Sequence, residues 1–256
     1  MLLRRITKHV KAQNWFAVGL DFVIVVIGVF VGIQVSNWND ERREEMRADA
    51  YIERIANDLL ADQKNIRMRQ SFWRQVIEEG EAALNYSDTG VLKDGSAWRS
   101  ALAFYQASQV FPYVNTETTY AELKSAGELG LIRDADLRAQ LAEYYTAGSA
   151  EQAGYITRLI PPYRDTIRGM TPVAMARHIW RECITTDGLD WQMLQECDAP
   201  FGDEQAHVVL DRYVDPVALD QLRNWIGNQE IALILLQKNL AAAEKMIEQI
   251  DVLRRH

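Results

Sequence analysis

Cysteine, histidine and proline are scarce in this chain: 256 residues include 2 Cys, 4 His and 6 Pro. A proline inside a helix removes a hydrogen bond and clashes with the preceding turn, so so few prolines leave room for long helices. No His-Glu-x-x-His helix, Gly-x-Ser-x-Gly elbow or glycine-rich phosphate loop occurs. The zinc-protease, serine-hydrolase and nucleotide-binding motif classes are thereby excluded. A basic excess is missing too, with 28 Lys and Arg against 36 Asp and Glu and a net charge of -8. Nucleic-acid binding needs a basic face, so no nucleic-acid partner is expected. Low-complexity tracts are absent, which excludes extensive disorder outside the termini.

One long apolar run is present, Trp15 to Val35, and it carries a single charge, Asp21. A membrane-spanning helix needs about 20 predominantly apolar residues. The run is too long for the apolar region of a signal peptide, and Ser36-Asn37-Trp38-Asn39-Asp40 is no small-x-small cleavage site. A retained signal-anchor over 15–37 is the reading, with the lipid bilayer as its partner. The leading tail, 1–14, holds Arg4, Arg5, Lys8 and Lys11 and no acid. By the positive-inside rule the N-terminus stays in the cytoplasm and the bulk lies outside. In a bacterium this is a single-pass inner-membrane protein with a periplasmic body. Leu3, Ile6 and Val10 give the tail one apolar side, suited to an anionic leaflet surface. Fourteen residues are too few for a catalytic output domain, so a solitary sensor kinase or chemoreceptor is excluded.

Within the span, Gly28 and Gly32 form a G-x-x-x-G pair that allows two helix backbones to approach. Asp21 and Gln34 are candidates for polar contacts with another helix. Asp21 is near the cytoplasmic edge, where reaching the headgroups competes with a proton-relay role. Trp15 and Trp38 bracket the run as interfacial anchors, with Asn37 and Asn39 completing the exit.

Beyond the span the chain reads as all-α, a helical bundle with long antiparallel or coiled-coil helices. Ile52, Ile55, Leu59, Ile66, Trp73 and Ile77 recur at helical spacing and predict a stalk helix over 38–84, with its exit near Asn37 to Asp40 as the place for a kink. Central helices are expected over 97–183, an irregular loop over 184–215, and a long helix over 216–254. In that last helix Leu219, Leu222, Ile226, Leu233, Leu236, Leu240, Ala243, Ile247 and Ile250 alternate at three and four, with Gln229 in a polar slot. The stripe fits antiparallel packing on the stalk or pairing with a second copy. No strand alternation stands out.

Cys183 and Cys197 bracket the irregular loop and read as a disulfide in an oxidising compartment. A metal site with His178 and His207 is the sharper alternative, but H-x4-C and C-x9-H match no familiar zinc signature. No cofactor is indicated. Glu117, Glu122 and Glu128 gather near Tyr113 and Tyr120 and offer a carboxylate pair for hydrolysis; helix capping and surface charge explain them as well. Trp73, Trp98, Tyr105, Tyr144, Tyr145, Trp180 and Trp225 read as bundle core.

Two segments carry a resemblance. VIVVIGVFVGIQVSNWNDER (Val23 to Arg42) and TYAELKSAGELGLIRDADLRAQLAEYY (Thr119 to Tyr145) together resemble a family of uncharacterised bacterial single-span membrane proteins. Its pattern is an acidic residue early in the span, a V-V-x-G…Q-x-x-N-W-N-E-like exit and a T-Y-x-E-L-K helix. Asp21, Gln34, Asn37, Trp38, Asn39 and Gly127 match it; Gly32 and Ser36 depart by small changes. The resemblance stops near residue 160 and implies a membrane protein with no known catalytic residues. The expected function is a non-enzymatic, membrane-anchored interaction or accessory protein whose partner is another membrane protein or a second copy. A periplasmic ligand-sensing module and, last, an anchored hydrolase are the alternatives.

Overall fold

No proline occurs before Pro112, and residues 15–89 are accordingly one helix. In the computed structural model, which describes residues 15–146, 148–187 and 191–255, helix α1 runs Trp15–Thr89. The basic tail over 1–14 and the Gly188 turn lie outside the described residues. The chain divides into two compact units, 1–51 and 52–256.

In the first unit the apolar stretch is exposed from Gly19 onward. Its most apolar 18-residue window has a mean hydropathy of 2.2 and none of it is buried. Helical hydrogen bonding continues through Asn37 to Asp40, where sequence alone leaves room for a kink. There Arg42 lies over the Trp38 ring at 5.9 Å and Arg43 pairs with Asp40.

The second unit is built on the remainder of α1. From Ile52 onward every third or fourth side chain of α1 is buried: Ile55, Leu59, Ile66, Trp73, Val76 and Ala83. The helix ends at Gly90, whose φ of 71° suits glycine. Then follow α2 (Ala97–Gln106), α3 (Thr118–Ala126), α4 (Ala135–Thr146), α5 (Ser149–Arg158), α6 (Pro162–Met170) and α7 (Val173–Glu182). The hairpin β1 (Ile184–Thr186) and β2 (Gln192–Leu194) precedes α8 (Asp203–Tyr213) and α9 (Pro216–Leu253).

Helix α9 lies antiparallel to α1. Arg254 pairs with Glu53 at 3.9 Å, Glu244 with Arg67 at 2.8 Å, and Arg223 with Asp88 at 3.7 Å, while Gln237 meets Gln70 between them. Paired positions rise on one helix as they fall on the other. Gly80 leaves room for Ile226 of α9, since a Cβ there would lie 2.9 Å from Ile226 Cδ1. The buried stripe of α9 is Ala218, Leu222, Trp225, Gln229, Ala232, Leu236, Leu240, Ala243, Met246 and Ile250. It is rotated from the leucine-rich stripe read in the sequence: Leu219, Ile226, Leu233 and Ile247 are only half-buried. The reason is tertiary, because α4, α5 and α6 also pack on α9 and cover its flank.

Helix α2 is the innermost element, with all its residues but Arg99 buried. Its carboxyl end would leave carbonyls unpaired. Tyr163 Oη donates to Phe104 O at 2.8 Å, Trp225 Nε1 to Ala107 O at 3.1 Å and Ser108 Oγ to Tyr105 O at 2.6 Å.

The stretch over 184–215, expected to be irregular, contains a hairpin and a helix, with 195–202 irregular between them. β1 and β2 pair antiparallel, Ile184 opposite Leu194, and are the exception to an otherwise helical fold. Two three-residue strands are marginal alone. Here Gln106 donates to Cys183 O and Gln195 O, and Gln75 both donates to Leu194 O and accepts from Leu194 N. Helix α8 begins after Gly202 with Asp203 and Glu204 in its first turn and buries Ala206, Val209, Leu210 and Tyr213 on α2. Asp, Gly and Pro in its flanks hid that short periodic stretch. Within the stretch 97–183, α4 and α5 are separate helices that meet near Gly148.

Gln229 is 1% exposed, and neither amide atom finds a hydrogen-bond partner among the described residues. An unsatisfied buried polar group costs about 1–3 kcal/mol. Gln229→Met, similar in length and flexible, is expected to raise unfolding free energy by about 1–2 kcal/mol. Denaturation of the full chain in neutral detergent measures this, and a lower midpoint contradicts it.

Candidate functional site

Asp62 occupies a position on α1 that its spacing reserves for an apolar side chain. Ile55, Leu59, Asp62 and Ile66 follow one another at four, three and four, and Asp62 is fully buried. An isolated buried carboxylate is costly unless hydrogen-bonded. Two donors meet this one: Thr116 N–H at 2.6 Å on Oδ1 and Tyr144 Oη at 3.1 Å on Oδ2. One turn earlier, Asp58 Oδ2 accepts the Thr119 N–H at 2.9 Å.

These two acids do what a local cap fails to do. Helix α3 starts after Glu117, whose side chain caps nothing. The first N–H groups of a helix lack partners, and a carboxylate there also meets the positive end of the helix dipole. Asp58 supplies that cap from a distant part of the chain, and Asp62 fixes the approach to it. Arg54 then pairs with Glu122 farther along α3.

Tyrosines close the inner side. Tyr144 and Tyr145 meet edge to face at 4.9 Å, and Tyr145 stacks on Tyr120 at 4.9 Å. Burial pushes the Tyr144 and Tyr145 hydroxyls far above their ordinary range, with the Asp62 charge adding to it. Burial likewise raises Asp62 to about 6, against the opposing hydrogen bonds from Thr116 and Tyr144.

On the outer side a cleft of about 730 Å³ opens between α1 and the 111–116 segment. Lys64, Asn65, Arg69, Phe111 and Thr116 line it. Arg69 lies over the Phe111 ring and donates to Pro112 O at 2.8 Å; Asn65 donates to Val114 O at 2.8 Å. Thr116 faces the cleft and also binds Asp62, so the cleft floor and the buried acid share one residue.

The residues singled out in the sequence fall in several places. Asp21, Gly28, Gly32, Gln34, Asn37, Trp38 and Asn39 are all exposed on α1. A Cβ at Gly28 or Gly32 would meet nothing within 4 Å, so both glycine faces are open. Trp15 begins the helix. Cys183 and Cys197 lie at disulfide distance, Cα atoms 5.1 Å apart. His178 is the third group of that cluster, its ring nitrogen and both sulfurs within 4.8 Å of one another. Its Nε2 faces Asp198 O at 2.7 Å. His207 instead sits on α8 beside Asp203. Joined sulfurs offer no thiolate to a metal, and the two histidines are not brought to one site. Glu117 and Glu122 are exposed, and Glu122 is held by Arg54. The carboxylates that converge are Asp58 and Asp62, which the sequence reading passed over.

The family comparison falls on this same region. A family of unknown function, DUF6090, matches residues 21–150. The chain belongs to that family. The DUF6090 segment takes in the exposed apolar helix, Asp58, Asp62, the cleft and the tyrosines. No curated protein and no solved structure matches the chain.

Protonation of Asp62 has a calculable sign. Its folded value of about 6 lies above the ordinary 3.8. The folded state therefore binds the proton more tightly, and this stabilisation is complete below about pH 4 and lost as pH rises through about 6. The difference amounts to on the order of 3 kcal/mol. Asp62→Asn keeps an acceptor for Thr116 and cannot ionise. Its stability relative to the unaltered chain is expected to rise by that order between pH 4 and pH 8. Parallel denaturation curves at the two pH values read this out, and a constant difference refutes it.

Proposed function

We propose that this DUF6090 protein is a non-enzymatic, single-pass, inner-membrane-anchored bacterial protein whose helical unit serves as an interaction or accessory module. The observation that carries the reading is the apolar stretch of α1: an 18-residue window of mean hydropathy 2.2 with none of it buried. Apolar surface of that extent is unfavourable in water and finds its place in a bilayer. The basic tail ahead of it supports a cytoplasmic N-terminus. The cysteine pair at disulfide distance supports an oxidising, periplasmic home for the remainder.

The open faces at Gly28 and Gly32 support contact with another membrane helix, a partner's or a second copy's. Asp21 and Gln34 add polar contacts there. A second reading, ligand sensing, is favoured by the 730 Å³ cleft above Asp62. A small-molecule thermal-shift screen of the full chain distinguishes it from pure scaffolding.

Three measurements test the proposal in a bacterial host. The protein is expected to stay with membranes through alkaline carbonate extraction. In intact spheroplasts, a membrane-impermeant maleimide is expected to label Cys183 and Cys197 only after reduction. Labelling that requires a permeant reagent reverses the orientation. Photo-crosslinking from the span is expected to yield an adduct that weakens several-fold in Gly28→Ile/Gly32→Ile; an unchanged adduct removes the glycine face from the interface.

A further inference from the structure

Where α6 turns into α7, the surface forms a depression of about 610 Å³. Arg168, Thr171, Val173, Arg177, Trp180 and Arg181 line it. Three guanidinium groups thus share one hollow with an indole that is 43% exposed and a valine that is 65% exposed. Among the described residues none of the three arginines makes an ion pair with a carboxylate.

Part of this arrangement serves the fold. Arg164 donates to Ser108 O at 2.8 Å, and Arg168 donates to Ser108 Oγ at 3.3 Å and Gln109 Oε1 at 2.8 Å. Both cations thereby face the negative end of α2. Burial, and then the neighbouring Arg168 charge, lower Arg164 to about 10. Asp165 is the carboxylate whose charge reaches both. It is exposed and does not bridge to either.

The end of α2 does not account for Arg177 and Arg181, which sit a turn apart on α7 and are exposed. Nor does it account for Trp180. The Arg168 guanidinium lies between two rings, 5.0 Å from the Tyr105 centroid and 5.6 Å from that of Trp180. Stacking and side-chain hydrogen bonds hold its plane while further N–H groups remain to be used, because a guanidinium has five. Arginines that no carboxylate bridges, set around a partly apolar wall, match an oxyanion attached to an apolar body.

We infer that this depression binds an organic oxyanion, a carboxylate or phosphate carried on an apolar or ring-shaped body. Arg168, Arg177 and Arg181 hold the charged end, and Trp180 with Val173 covers the body. The site is outside the DUF6090 segment, which ends at residue 150, so it is a property of this chain's second half.

Isothermal titration of the full chain in neutral detergent tests it with three probes: cyclohexyl phosphate, cyclohexanecarboxylate and cyclohexanol. At least one acid is expected to bind saturably, and the tighter one identifies the anion. The alcohol is expected not to saturate. Arg177→Gln/Arg181→Gln, both at exposed positions, is expected to weaken binding at least about tenfold, in line with charge-assisted hydrogen bonds. Far-ultraviolet circular dichroism and the unfolding midpoint show whether that variant folds. If it does not, Arg177→Lys/Arg181→Lys, which keeps the charge, is expected to retain binding within a few-fold. Silence with both acids, equal binding of the alcohol, or unchanged affinity in a folded Gln variant overturns the inference.

Discussion

The antiparallel seam between α1 and α9 is the constraint on which the second unit depends. Ile66, Trp73 and Val76 on one helix and Leu222, Trp225 and Leu236 on the other belong to one buried cluster. Most of the stability of such helices comes from covering an apolar stripe, not from intrinsic helix propensity. The ion pairs at Glu53, Arg67 and Asp88 are exposed and add little energy. Their value is in register, together with the glycine at position 80, which leaves room for the Ile226 side chain between the helices. Trp73 and Trp225 meet edge to face at 5.6 Å in the same layer. Trp225 also closes the end of α2 through Ala107. One seam thus sets both the long helices and the innermost short one.

Upon that frame the fold supplies distant caps where local ones are missing. Asp58 caps α3, and Asp62 holds the residue before it, from about sixty residues away. Gln75 and Gln106 complete the edges of a hairpin too short to persist alone. Trp98 Nε1 donates to Cys197 O at 2.8 Å, so the cysteine pair is also tied to α2. Each of these groups would otherwise leave a backbone donor or acceptor without a partner in a dry environment, at a cost of about 1–3 kcal/mol. Segment 112–146 and the hairpin are therefore tied by polar contacts to rigid helices, and 112–146 also buries Tyr113, Leu123, Leu137 and Leu141.

Legibility in the sequence followed the range of the physics. The apolar helix is a local property, and the run Trp15 to Val35 displays it directly. The stripe on α1 is equally local, and its phase contains the clue that was passed over: Asp62 falls where the three-four spacing demands an apolar residue. A charged residue in phase with a core stripe signals a buried acid with donors around it. Those donors, Thr116 and Tyr144, are 54 and 82 positions away, and no spacing rule reaches that far. Tyr144 and Tyr145 read as core, which they are, but their role at the acid depends on the same distant contact. Helix α8 was hidden because glycine and proline in its flanks outweighed a short periodic stretch. The arginine hollow was illegible for another reason: Arg168 comes from α6, Arg177 and Arg181 from α7, and in the sequence they look like ordinary solvated charges.

These dependences bear on what the DUF6090 segment can do alone. The match ends at residue 150, whereas α9, the partner of the α1 stripe, begins at Pro216. Gln140 on α4 binds Gln249 on α9 at 2.9 Å, and Gln249 in turn donates to Asp134. Cutting the chain at the end of the match would expose Ile66, Trp73 and Val76 together. Loss of so much burial, at about 25 cal/mol per Å², exceeds the few kcal/mol by which a domain of this size is stable. The matched half therefore requires an apolar helix from elsewhere. In this chain α9 provides it, and the same α9 packs on α5 and α6 and hence positions the second half. A chain sharing only the first half has to obtain that cover from another segment or another molecule.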